Sequence, residues 1–182
     1  MKVLIEKILR FHPQLAGQIK GVSDDEIIQL EKISGYTLPD EYKDFLRNMG
    51  HHAGRIKIVI KNSVAEADQS SYIRETPIDV RYDSVIKYYR KMKTMSEKKR
   101  LRLKRNLEKA VDRSLDQLFL IGINPIGNDA GNLYIDLSSK ALRVVELTET
   151  FGETEHSPSL MEFLFKASFR RETVLRLQEL NY

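Results

Sequence analysis

SDDEIIQLEKISGYTLPDEYKDFLRNMG, residues 23–50, is the stretch that decides the fold. Ser23-Asp24-Asp25-Glu26 is a capping box, in which the serine oxygen accepts from the backbone three residues on and the glutamate reciprocates. A helix therefore starts at Asp24, and Ile27, Leu30 and Ile33 keep helical spacing up to Gly35. A second helix is expected from Leu38-Pro39-Asp40-Glu41, with proline in the first turn and acids at the positive end of the dipole. Tyr42, Phe45, Leu46 and Met49 fall at i, i+3, i+4 and i+7, an apolar stripe that stops at Gly50.

Working outward, Val3, Leu4, Ile5, Ile8 and Leu9 predict an N-terminal helix that ends near Phe11-His12-Pro13, since a proline disfavours helix in the residue before it. Arg55 to Ile60 alternates Ile56, Ile58 and Ile60 with lysines, the pattern of a half-buried strand, and Asn62 to Asp83 is weakly patterned. Tyr82 to Leu115 reads as one or two helices. Leu103, Leu107, Ala110, Val111 and Leu115 lie on one face, and Lys98, Arg102, Arg105 and Lys109 on another.

Strands are expected at Leu118-Phe119-Leu120-Ile121, Asn132 to Leu137 and Leu142 to Leu147, forming an antiparallel meander. The turn-forming residues Asn124 to Gly131 join the first two. Leu160, Phe163, Leu164 and Ala167 mark a closing helix that is expected to extend toward Val174 and Leu177. The expectation is a single α+β domain over residues 1–182, with N-terminal helices, a mainly antiparallel sheet, a helical insertion at 82–115 and a C-terminal helix. A chain of 182 residues can bury roughly 70% of its unfolded surface, enough for a core without staples.

Composition narrows the function. With no cysteine, disulfides, thiolate nucleophiles and cysteine-based metal sites are excluded. The opening Met1-Lys2-Val3-Leu4-Ile5-Glu6-Lys7 has no signal-peptide core, and no run reaches the ~18 apolar residues of a membrane span. A cytoplasmic protein with no membrane partner is expected. The formal charge of +4 conceals an asymmetry: between Lys87 and Lys109, eleven lysines and arginines face only Glu97 and Glu108, so the rest of the chain is net acidic.

Among these cations stand Tyr88 and Tyr89, and nucleic-acid binding uses such a mixture of charge and stacking surface. The same charges equally suit a solvated helix face or an acidic protein partner. The acids Asp24, Asp25, Glu26, Glu31, Asp40, Glu41 and Asp44 form a surface suited to mimic nucleic acid toward a basic partner, although helix capping already accounts for Asp24 to Glu26 and Asp40-Glu41.

Catalytic signatures are missing. His12, His51, His52 and His156 form no HExxH pattern and are expected as exposed loop residues, and Asn128-Asp129-Ala130-Gly131-Asn132 lacks the ligand spacing of a calcium loop. There is no phosphate-binding glycine loop and no nucleophile elbow. We expect no catalytic residues, no cofactor and no metal.

Three stretches together resemble the SUKH superfamily (Smi/Knr-type domains), which includes bacterial immunity proteins of polymorphic toxin systems and a fungal cell-wall synthesis regulator. They are Ser23 to Gly50, with Leu30-Glu31, Gly35, Leu38-Pro39 and Asn48-Met49-Gly50; then Phe119 to Gly122 with Gly131 to Leu137; and Ser159 to Leu164. The matching pieces fall within about residues 23–168. The chain differs from many relatives in having no tryptophan and in carrying the basic insertion.

The resemblance implies a protein that binds and neutralises a cognate toxin domain, often a nuclease or deaminase, by occlusion, with no catalytic residues to carry over. The candidate protein-binding residues are Asp40, Glu41, Asp44, Tyr134 and Asp136, with Arg102 and Arg105 if the insertion takes part. The alternative is a nucleic-acid-associated or regulatory adaptor acting through residues 87–109.

Overall fold

The computed structural model describes residues 1–11, 13, 16–53, 58–64, 72–111, 113–124, 131–148 and 152–168. Helix α1 (Lys2–Phe11) ends before Pro13 as expected and inserts Leu4 into the core. Helix α2 (Asp24–Ser34) begins with the full capping box: Ser23 Oγ accepts from the Glu26 N–H, and the Ser23 N–H donates to Glu26 Oε2 at 2.8 Å. It ends at Gly35, whose φ of 81° lets its N–H reach the Glu31 carbonyl at 2.8 Å.

Glu31 then fixes the path into α3 (Asp40–Met49). Its Oε1 accepts from the Leu38 N–H at 2.7 Å and pairs with Lys43 at 2.9 Å. On α3 the whole stripe Tyr42, Phe45, Leu46 and Met49 is buried, each such side chain contributing about 1.5–3 kcal/mol of transfer free energy.

Two short strands, β1 (Ile19–Lys20) and β2 (His52–Ala53), pair antiparallel beside α3. Next comes an antiparallel hairpin of β3 (Ile58–Val64) and β4 (Tyr72–Ile78). The expected strand at 55–60 is thus present from Ile58 and runs further, while residues 55–57 lie outside the described residues. Strand β4 falls in the stretch that shows little pattern in sequence.

The insertion is two helices, α4 (Tyr82–Thr94) and α5 (Glu97–Val111), separated where Met95 takes an extended backbone, ψ 141°. The expected faces are found: Leu103, Leu107, Ala110 and Val111 are half-buried, and Lys98, Arg102, Arg105 and Lys109 are exposed. After a single 3-10 turn at Leu115–Gln117 the chain enters the main sheet.

That sheet is an antiparallel meander of β5 (Leu118–Gly122), β6 (Asn132–Asp136), β7 (Val144–Thr148) and β8 (Gly152–Ser157), in that spatial order. The architecture is α+β, as expected, with one strand more than the three read from sequence. Strand β7 starts two residues later than expected, because Leu142 sits in a turn at φ 53° with its N–H on the Ser139 carbonyl. Reciprocal bonds of 2.9 Å between Asp79 and Ile123 tie the end of the hairpin to the sheet beyond β5. Helix α6 (Leu160–Ser168) closes the core with Leu160, Phe163 and Leu164. The expected continuation toward Leu177 and the turn residues 125–130 lie outside the described residues.

Both faces of the sheet are covered. Phe119 on β5 meets Tyr42 of α3 with ring centroids 5.5 Å apart, and Tyr89 of α4 stacks on it at 5.2 Å. Helix α4 packs on α2 and β5, and α5 on β7 and β8. All five residues of β5 are buried in consequence.

Candidate functional site

The acids and bases singled out in sequence are carried by separate elements. Helix α3 presents Asp40 exposed, Glu41 and Asp44 half-buried. Asp44 accepts from the Asn48 amide at 3.1 Å and lies 3.2 Å from the Met1 amino group, while one Glu41 carboxylate oxygen is buried with no hydrogen-bond partner among the described residues. Near by, Asp24 of α2 holds Arg47 at 2.8 Å, so the acidic face is partly neutralised by its own side chains. Arg102 and Arg105 stand on the outer face of α5, exposed and without an ion pair among the described residues. Exposed Leu101 lies beside them.

Tyr134 and Asp136 are elsewhere and differently employed. They are 7% and 3% exposed, so neither offers its side chain to a partner. The physical reason is the second layer: α4 and α5 cover the side of the sheet on which Tyr134 and Asp136 project. Tyr134 lines the space between the sheet and α5 together with Tyr88 and Tyr89.

Asp136 is the centre of a charged network. Its Oδ2 accepts from Arg113 at 3.0 Å and from Arg143 at 2.9 Å, and its Oδ1 accepts from the Ser138 hydroxyl and N–H. Both arginines also reach Glu153 on β8, and Arg143 reaches Glu155. Burial alone would raise the Asp136 pKa, but the bonds from Arg113, Ser138 and Arg143 outweigh it and hold the carboxyl well below its usual range. The cluster is a clamp between the end of the insertion, strands β6 and β8, and Arg143 just before β7.

Two histidines correct the expectation of exposed loop residues. His51 is half-buried, with Nε2 2.9 Å from Glu26, Nδ1 3.7 Å from Asp83 and its ring edge-on to Tyr82. His156 lies on β8 with Nε2 2.8 Å from the buried Glu146, whose other oxygen accepts from the Gly131 N–H at 2.6 Å. Both join elements separated in sequence, which local pattern cannot reveal. The two carboxylates at His51 sit on opposite ring nitrogens and do not converge, and no group of three metal-ligating side chains occurs among the described residues. His52 is exposed on β2, and His12 lies outside the described residues.

Tyr88 and Tyr89, read in sequence as stacking surface among the cations, turn inward. Together with Tyr36 and Tyr134 they line a cleft of about 360 Å³ beneath α5, with Lys93, Arg100 and Lys104 also in its lining. Sequence marked Tyr88, Tyr89, Lys93, Arg100 and Lys104 as one basic segment, but Tyr36 and Tyr134 reach the cleft from other elements. A shallower groove between α2 and α4 is bordered by Asp25, Gln29, Lys32, Lys93 and the exposed Ile28.

No helix among the described residues is long and apolar enough to cross a membrane. No curated protein gives a significant match to the chain. A family match covers residues 21–166, from just before the capping box of α2 to the last turn of α6, and so takes in the paired helices, the meander and most of the closing helix described above; the chain belongs to the SMI1 / KNR4 family (SUKH-1).

Proposed function

We propose that this protein is a cytoplasmic immunity protein that binds a cognate toxin domain, such as a nuclease or deaminase, and neutralises it by occlusion rather than by catalysis. The observation that supports this most is the family match over residues 21–166, since the superfamily includes toxin-binding immunity proteins. The side chains support a binding role. The buried carboxylates Asp136 and Glu146 are engaged within the fold, whereas charge of both signs is displayed outward on α3 and α5.

Asp40, Glu41 and Asp44 would face a basic partner, and Leu101 flanked by Arg102 and Arg105 would face an acidic one. Tyr134 and Asp136 act behind the surface by holding the insertion. An interface adequate for neutralisation buries about 1,600 Å² and binds at about nanomolar strength.

The test is affinity capture from nuclease-treated cytoplasm at low and high salt, followed by assay of the captured protein with and without this chain. A partner that survives both treatments and whose toxicity or enzymatic activity is blocked at equimolar ratio supports the proposal. A captured partner that stays fully active overturns neutralisation.

The second reading, a nucleic-acid-associated adaptor, is favoured by one observation: Lys98, Lys99, Arg100, Arg102 and Arg105 have no ion-pair partner among the described residues. Retention that is abolished by nuclease and falls steeply with salt would select it.

A further inference from the structure

The cleft beneath α5 has features that partner binding does not use. Its floor is β5 and β6, its walls are α4 and α5, and its four tyrosines are set in fixed orientations. The Tyr89 hydroxyl accepts from the Leu120 N–H at 2.9 Å, the Tyr88 ring stands edge-on to Tyr89 at 5.5 Å, and the Tyr36 ring stands edge-on to Phe119 at 5.7 Å. Burial pushes all four hydroxyls above the ordinary phenol range, so no phenolate forms there near neutral pH.

The volume falls at the lower end of small-molecule pockets, about 300–1,000 Å³, which are mostly apolar with a few placed polar groups. Helix α5 extends over fifteen residues without burying one completely, although it directs Leu103 and Leu107 into the cleft. A guest would supply the apolar contacts that this face of the helix lacks.

The charge of the lining indicates the kind of guest. Lys104 is spent on Asp116 at 2.6 Å and also lies 3.6 Å from Glu108. Lys93 and Arg100 also line the cleft, are exposed, and have no acid within ion-pair distance among the described residues. Two uncompensated cations beside an aromatic cavity complement an anionic head on a flat apolar body.

We infer that the cleft between α4, α5 and the β5–β6 strands binds a small amphipathic anion, an aromatic body seated among Tyr36, Tyr88, Tyr89 and Tyr134 with its acidic group on Lys93 and Arg100. The site is independent of the toxin-binding reading and stands or falls separately from it.

The probe is 1-anilinonaphthalene-8-sulfonate, added to the full chain under conditions where thermal unfolding is cooperative. Calorimetry and fluorescence are expected to give one site per chain and a rise in melting temperature. Arg100→Ala and Lys93→Ala should each weaken binding about tenfold, as expected for loss of one charge-assisted contact. Leu103→Trp, which fills the cleft, should abolish it. Lys99→Ala removes the same charge from the same helix outside the cleft and should leave affinity within about twofold.

N-phenyl-1-naphthylamine, which keeps the rings without the sulfonate, should bind at least about tenfold more weakly. The inference is overturned by no binding, by several equivalent weak sites, by equal losses in Lys99→Ala and Arg100→Ala, or by equal affinity for the uncharged naphthylamine.

Discussion

Arg113, two residues beyond the last residue of α5, donates from its guanidinium to Asp136 at the end of β6 over 3.0 Å, and so ties the basic insertion to the sheet. Arg143 donates to the same carboxylate oxygen at 2.9 Å. Removing the charge leaves the two arginines only Glu153 and Glu155 as acidic partners, and breaking a buried pair from one side costs about 3–5 kcal/mol, the low end applying where other partners remain. Asp136→Asn should therefore destabilise the protein by about 3 kcal/mol at pH 7 in urea unfolding.

The pH dependence follows from the direction of the Asp136 shift. Its pKa is lowered in the folded state, so its stabilisation is complete above the unfolded carboxyl pKa of about 3.9 and is lost as pH falls through the lower, folded value. The gap between wild type and Asp136→Asn should shrink progressively below about pH 4. A gap that stays constant down to pH 3, or one under about 1 kcal/mol at pH 7, would show that the clamp is not electrostatic.

Gly152 opens β8 at φ 74°, and a Cβ there would stand 2.7 Å from the Ala110 carbonyl oxygen on α5. Conformation and space therefore both demand glycine. Gly152→Ala should cost about 2 kcal/mol, combining the left-handed penalty with displacement of the helix. Amide exchange should quicken on α5 more than on α3, and uniform quickening would instead mean that the strain is not local.

The parts of the fold legible in sequence are those fixed by neighbours along the chain. The Ser23–Glu26 box, the stripe from Tyr42 to Met49 and the two faces of α5 obey local periodicity, and the structure reproduces them. Strand β8 was not legible, because Glu153, Thr154, Glu155 and His156 are polar on a strand at one end of the sheet and their partners, Arg113, Arg143 and Glu146, come from elsewhere.

Strand β4 carries Pro77 within its span, which breaks the usual signature. In sequence Tyr134 and Asp136 read as surface contacts, yet polar side chains on alternate positions face water only when nothing covers that side. Here α4 and α5 cover it, so the same alternation marks a buried polar layer. The cleft was illegible for the same reason: its four tyrosines come from three separate stretches of chain.

Tyr42 is completely buried, stacked beside Phe45 at 5.8 Å, and its hydroxyl has no hydrogen-bond partner among the described residues. Burial accordingly pushes the hydroxyl pKa upward. An unsatisfied buried hydroxyl costs about 1–3 kcal/mol, so Tyr42→Phe should be neutral or stabilising by about 1 kcal/mol. That corresponds to a rise of about 2–4 °C in melting temperature for a chain of this size. A loss of more than about 1 kcal/mol would mean that the hydroxyl does find a partner in solution.

Arg102 and Arg105 test the proposed function without disturbing the fold. Both are exposed on α5 and make no ion pair among the described residues, so Arg102→Glu with Arg105→Glu should change stability by no more than about 0.5 kcal/mol. If the insertion meets an acidic patch on the toxin, reversing two charges should slow association at least about tenfold at low salt and leave dissociation less affected, because charge at an interface rim acts mainly on encounter. The difference should narrow as salt rises. An unchanged association rate would remove α5 from the interface and leave Asp40, Glu41 and Asp44 on α3 as the surface to mutate. Loss of retention on single-stranded nucleic acid, with toxin neutralisation intact, would instead assign the basic helix to the second reading.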